Sequence, residues 1–138
     1  TLGAINMISA ELNKNPDAAD LLYFRAHLAI ASGDLDLAAC DLDKVLSINP
    51  QASQVLDDRG VIYQMRGDYF AAAECHLRAA DIDPHNDNIL LNLAIALNFL
   101  GQKTQAESLY QDVLNINPQN TRALVNLGII ADDAGKHS

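Results

Sequence analysis

Proline stands at Pro16, Pro50, Pro84 and Pro118, and glycine at Gly33, Gly67, Gly101 and Gly135, so that each series advances in steps of 34 residues. Alanine keeps the same step at Ala4, Ala38, Ala72 and Ala106, as do the small residues Ala26, Gly60, Ala94 and Gly128. A fixed period of this length in several residue classes at once is the signature of a repeat architecture. It also explains why "INPQ" occurs twice, at 48–51 and 116–119, with "IDPH" between them at 82–85.

Each class has a physical role. Proline lacks an N–H and fixes φ, so it ends one helix and opens the next. Glycine supplies the left-handed residue that closes a helix. The segments between them, "DAADLLYFRAHLAIAS" and "DLDLAACDLDKVLSIN", carry apolar residues at spacings of three and four, which is helical. The unit is therefore helix, glycine turn, helix, proline corner, and the small residues mark where two helix axes approach closely. Helices of about 14 residues are marginal alone, and a single pair cannot bury its apolar face. Stacking the pairs into a right-handed superhelix solves this. The expected fold is all-α: an α-α superhelix, a solenoid of about eight antiparallel-paired helices.

The phase divides the chain as one domain over 1–138. Residues 1–16 are the second helix of a preceding half repeat, 17–50, 51–84 and 85–118 are three full repeats, and 119–138 hold the first helix of a fourth. That last helix is expected to leave apolar surface around Leu124, Leu127 and Ile130 uncovered. Solenoid ends normally carry a polar cap, so either the segment is a fragment of a longer array or another chain covers that end; the fragment is the preferred expectation.

Composition is that of an ordinary soluble domain, with 49% hydrophobic and 20% charged residues. No apolar run reaches the roughly 18–20 residues of a membrane span, and no basic-then-apolar leader opens the chain, so neither a span nor a signal peptide is expected. The compartment stays open between cytoplasm and periplasm. A net charge of −9 argues against nucleic acid as partner. Cys40 and Cys75 lack metal or redox spacing and read as small apolar fillers.

The 34-residue pattern resembles the tetratricopeptide repeat (TPR). The residues that carry the resemblance are Leu22, Ala26, Ala29, Ala38, Leu42 and Pro50 in the first full unit, and Leu56, Gly60, Tyr63, Ala72, His76 and Pro84 in the second. The third gives Leu90, Leu93, Ala94, Leu97, Ala106, Tyr110 and Pro118. His76 stands where the family usually packs an aromatic and reads as a satisfied core residue. Arg25 and Arg59 occupy a site usually given to Leu. A family variant with Arg there implies an ion pair between Arg25 and Asp41, whereas Arg59 faces Cys75 and must find Glu74 or a neighbouring unit.

No phosphate-binding glycine loop, nucleophile elbow or metal-ligand spacing is present. Asp57-Asp58 and Asp132-Asp133 are adjacent on helices, so their side chains diverge by about 100° and do not converge on one bond. They read as solvated acidic faces. No enzyme activity, cofactor or metal is expected.

The resemblance implies that the first helix of each pair lines a concave face that holds a peptide or partner helix. Carried over by phase, that face comprises Tyr23, His27, Asp58, Val61, Met65, Leu91, Asn92, Ile95, Asn98, Phe99, Arg122, Asn126 and Ile129. Chaperone adaptors of the family grip acidic heat-shock-protein tails with a clamp of cations and Asn. The matching positions here, Tyr23, His27, Asp58, Asn88 and Asn92, hold no Lys or Arg, and Asp57 and Asp58 would repel such a tail. That ligand is not expected. Asn92 and Asn126 sit one repeat apart, and in some members such an Asn ladder hydrogen-bonds a peptide backbone. The expected function is a non-catalytic protein-interaction scaffold. A similarity to pilus-assembly and secretion repeat proteins of the tight-adherence type points to one setting. The alternative is a regulatory or substrate-recruiting array of a larger enzyme, such as a glycosyltransferase, and the uncovered terminal helices offer a surface for self-association.

Overall fold

The computed structural model describes residues 2–136, without the side chains of Ala134 and Lys136. These residues form eight helices: α1 (Leu2–Lys14), α2 (Ala19–Ser32), α3 (Leu35–Ile48), α4 (Ser53–Met65), α5 (Tyr69–Ile82), α6 (Asp87–Phe99), α7 (Lys103–Ile116) and α8 (Thr121–Lys136). No strand occurs among them. The strongest packing is within the pairs α2·α3, α4·α5 and α6·α7, and each pair also packs on the next. The result is an all-α solenoid of stacked helix pairs.

The turns follow the sequence logic. Gly33, Gly67 and Gly101 have φ between 81° and 85°, the left-handed region that a Cβ disfavours. The residue after the first two is Asp34 or Asp68, whose carboxylate accepts the N–H three residues on (Leu37 and Ala71, both 3.1 Å) and caps the next helix. At the proline corners Asn49 and Asn117 each accept the N–H of the Gln two residues on, at 3.3 Å. The Asn of "INPQ" is thus an Asx-turn residue that starts the corner. Gly135 departs from the pattern. It lies inside α8 and has no positive φ, so the helix runs through it.

Ala26, Ala38, Ala72, Ala94 and Ala106 are fully buried at the close approaches, and all but Ala72 belong to two apolar clusters that both include Leu46 at their margin. Gly60 has a more specific reason. A Cβ there would lie 2.6–2.9 Å from three ring atoms of His76, which is itself fully buried. At the equivalent places Ala26 and Ala94 accompany Leu42 and Tyr110, so the imidazole, and not the fold, demands glycine. Gly60→Ala should therefore destabilise the protein by about 1–3 kcal/mol through overpacking. Gly128→Ala is the control, because nothing lies within 4 Å of a Cβ at that helical position. It should be neutral or stabilising by up to about 1 kcal/mol. Chemical denaturation of both variants checks the contrast; equal responses would mean that helix propensity, and not the imidazole, decides position 60.

Two expectations about burial need correction. Cys40 is exposed and Cys75 half-buried, so neither fills the core fully. On α8, Leu124 is exposed as expected, but Leu127 is half-buried against the core and Ile130 is buried with Ala123. Ala123 and Ile130 are seven residues apart, two helical turns, and both join the core cluster that holds Tyr110 and Val113 of α7, whereas Leu124, Val125 and Ile129 are exposed. No described helix is long and apolar enough to cross a membrane.

Candidate functional site

Helices α4, α6 and α8 are the first members of successive pairs, and their facing sides line two adjoining pockets. The pocket between α6 and α8, about 380 Å³, is lined by Ile95, Thr121, Arg122, Val125 and Asn126. Its neighbour, about 390 Å³, is lined by Val61, Gln64, Met65, Tyr69, Asn92, Phe99 and Arg122. Arg122 belongs to both, which makes them one concave groove. Phe99 and Met65 are more than half exposed, and Phe99 stacks on Tyr69 with ring centroids 4.3 Å apart and planes within 5°. The stack fixes the orientation of an exposed ring that would otherwise be free.

Beneath this floor lies a buried polar network. Asp57, on α4, accepts Nδ1–H of His76 from α5 at 2.6 Å and the amide of Asn92 from α6 at 3.0 Å. His76 Nε2 meets the side-chain amide of Gln64. The expected core histidine is thus satisfied at both nitrogens. Asn92 and Gln64 each present a face to the groove while anchored below it, which ties the groove wall to the core.

Towards the N-terminal end the concave side is closed by a second cluster. Asp58 accepts the Tyr23 hydroxyl at 2.8 Å, the Gln54 amide at 3.2 Å, and faces His27 Nε2 at 3.1 Å. Tyr23 and His27 also meet edge to face at 4.5 Å. These side chains are occupied with one another and form no part of either groove pocket.

Asp57 and Asp58 are therefore not a solvated acidic face. They are 2% and 8% exposed. Their side chains do diverge, one towards α5 and α6 and the other towards α2, as adjacent helical residues must. Both are shielded and hydrogen-bonded within the protein. Leu91 is 1% exposed and belongs to the core, so it does not reach the groove floor. Asn98 is half-buried and Ile129 exposed, and neither lines the two pockets. The proposed two-rung ladder is uneven: Asn92 donates its amide to Asp57, while Asn126 makes no hydrogen bond among the described residues. Among the expected residues, Val61, Met65, Asn92, Ile95, Phe99, Arg122 and Asn126 come together. Tyr69 and Thr121 are additions, because Tyr69 reaches the groove from the start of a second helix, where phase alone places no groove residue.

Arg25 pairs with Asp41 through two bonds, at 2.7 and 2.6 Å, as expected. Arg59 finds its partner in the preceding unit, Asp43 at 2.9 Å, and lies over the Tyr63 ring at 4.4 Å.

Burial, reinforced by the hydrogen bond to Asp58, raises the Tyr23 phenol well above its ordinary value, and burial raises Tyr110 as well. A raised phenol pKa means that the folded state keeps the proton longer than the unfolded chain. Both residues then contribute stability that is fully present below about pH 10 and is lost as pH rises through the folded value. Phenolate absorbance from Tyr23 and Tyr110 should accordingly appear late in an alkaline titration. Tyr23→Phe and Tyr110→Phe should remove that late amplitude; removal of early amplitude instead would contradict the burial.

Two sequence profiles of the tetratricopeptide repeat match the chain, one over residues 19–52 and one over residues 63–127. No curated protein matches it by sequence. Among solved structures, the crystal structure of MamA superposes with a TM-score of 0.87 at 18% identity, covering 95% of this chain and 77% of that one. The first TPR of Spaghetti (RPAP3) bound to the HSP90 peptide SRMEEVD gives 0.81 at 19% identity, covering 85% and 93%. A Thermobaculum terrenum O-GlcNAc transferase gives 0.77 at 29% identity over 83% of this chain but only 22% of its own length. Helices, period, profiles and superpositions agree: the chain is a solenoid of tetratricopeptide repeats. The similarity to pilus-assembly proteins of the tight-adherence type gains no support from these comparisons.

Proposed function

We propose that the protein is a non-catalytic interaction scaffold that holds a peptide or partner helix in the groove between α4, α6 and α8. The observation that carries this reading is the pair of adjoining concave pockets with a partly apolar floor (Val61, Met65, Ile95, Phe99, Val125) and amides along it. The polar network below holds Asn92 and Gln64 in place, so the groove is preformed and little ordering entropy is lost on binding. The structural neighbour solved with a bound HSP90 peptide shows the same fold in a peptide-bound state, which favours the reading. Pilus assembly or secretion forms no part of the proposal.

A second setting is favoured by one observation. The O-GlcNAc transferase is 29% identical over most of this chain, which spans a small part of its length. A role as the recruiting array of a larger enzyme is compatible with the same groove, and the residues that flank this segment in its gene distinguish it from a free-standing scaffold.

Val125 is 54% exposed and lines the groove, so Val125→Glu should abolish partner capture without lowering the melting temperature. Leu77→Glu, at an exposed position on α5 outside the groove, should leave capture intact. Equal retention by both variants in a pull-down would move the binding surface elsewhere.

A further inference from the structure

The repeat phase puts a cysteine where Arg59 needs an acid. One repeat earlier, Arg25 of α2 is held between two helices: Nε and Nη2 meet Asp41 on α3, and Nη1 reaches Ser9 on α1. Moved on by 34 residues, Arg25, Ser9 and Asp41 become Arg59, Asp43 and Cys75. Arg59 does bond Asp43 on α3, through Nε at 2.9 Å. On the α5 side a thiol stands in the carboxylate's place, and Nη1 of Arg59 is buried with no hydrogen-bond partner among the described residues. An orphaned buried donor of a charged group is costly, so an anion at this place would stabilise the fold. Arg78, which makes no hydrogen bond or ion pair among the described residues, brings a second cation near the Cys75 sulfur. Cys75 itself is half-buried, so a small reagent reaches it.

We propose that Cys75 is a site of oxidation by peroxide, and that its sulfinate takes the place that Asp41 fills one repeat earlier. Asp and a cysteine sulfinate each carry a two-oxygen anion on a single methylene, so the sulfinate offers Arg59 the same pair of acceptors. In the first step the Cys75 thiolate attacks one oxygen of hydrogen peroxide. An S–O bond forms, the O–O bond breaks, and the departing hydroxide takes up a proton and leaves as water. The sulfenate then attacks a second peroxide in the same way. At each step sulfur loses two electrons and the peroxide is reduced, so that thiol and two peroxides give sulfinate, one proton and two waters. Burial pushes the Cys75 thiol up, with Arg59 and Arg78 pulling it back and Glu74 and Asp43 adding to the rise. The thiolate is the attacking species, so oxidation is slow at neutral pH and quickens as pH rises. The oxidised chain gains in its second repeat the three-helix tie that Arg25 gives the first, here joining α3, α4 and α5. Thiols reverse the sulfenic stage but not the sulfinate, so the tie is a lasting mark of oxidant exposure.

The test uses a Cys40→Ser variant, in which Cys75 is the remaining thiol, treated with hydrogen peroxide and followed by peptide mass spectrometry and thermal melting. A Cys40→Ser, Cys75→Ala variant treated alongside corrects for oxidation of the exposed Met7 and Met65. The folded protein should gain two oxygens on Cys75 and melt about 3 °C or more above the corrected baseline. Cys75→Asp should reproduce that rise without oxidant. In an Arg59→Met background both changes should instead lower the melting temperature, since the new anion has lost its buried partner. If Arg59→Met does not fold, Arg59→Lys replaces it. The rise should then shrink to about half or less, because an ammonium cannot form the two parallel bonds. Three results overturn the proposal: a sulfinate that leaves the melting temperature unchanged or lower, a rise of full size without the Arg59 guanidinium, or a Cys75 that stays unoxidised or stops at one oxygen.

Discussion

Arg25→Met is expected to lower the free energy of unfolding by about 3–5 kcal/mol, measured by urea denaturation. Asp41 is 2% exposed and receives both Nε and Nη2 of Arg25, while Nη1 reaches Ser9 on α1 at 3.0 Å. The guanidinium thereby joins α1, α2 and α3. Removing it leaves a carboxylate in the core without its counter-charge, and the cost of that orphan exceeds the net worth of the pair. Arg25→Met combined with Asp41→Leu should therefore recover most of the loss, because the buried charge has gone as well. Arg25→Lys should fall between, since an ammonium cannot reproduce the two parallel bonds. A single variant within about 1 kcal/mol of the parent protein would show that Asp41 is solvated on removal of its partner.

Asp57→Ala should cost about 2–4 kcal/mol, between the penalty for one unsatisfied buried group and that for a broken buried ion pair. It strips the Nδ1 acceptor from His76, which is fully buried, and frees the amide of Asn92 in the same step. In a chain of this length that loss corresponds to a fall in melting temperature of roughly 10 °C. Asp57→Asn, which keeps an acceptor, should fall less. Because Asn92 and Gln64 line the groove and are held by this network, Asp57→Asn should also weaken partner binding more than its effect on stability implies. Full affinity in Asp57→Asn would separate the network from the groove.

The period made the fold legible, because proline, glycine and alanine each answer to backbone geometry that repeats. Gly33, Gly67 and Gly101 turned out left-handed for that reason. Gly135 shares the phase but stays helical in α8, so phase alone does not set its conformation. The groove was legible only by face. Phase placed Leu91 on the concave side, but its side chain is buried in the core, while one residue on, Asn92 lines the pocket. The buried state of Asp57 and Asp58 was hidden because all their partners but Gln54 lie 19 to 35 residues away, on α2, α5 and α6. His76 in place of an aromatic was the available sign, since a buried imidazole requires a polar partner. Tyr69 could not have been found from phase, as its place in the groove depends on stacking against Phe99.

The most direct test of groove binding is amide hydrogen exchange with a captured partner peptide, read residue by residue. The account predicts new protection along the concave sides of α4, α6 and α8, centred on Val61, Asn92 and Arg122, with α5 and α7 unchanged on their outer faces. Protection confined to α5 and α7, or to the exposed faces of α1 and α8 away from Arg122, would contradict it.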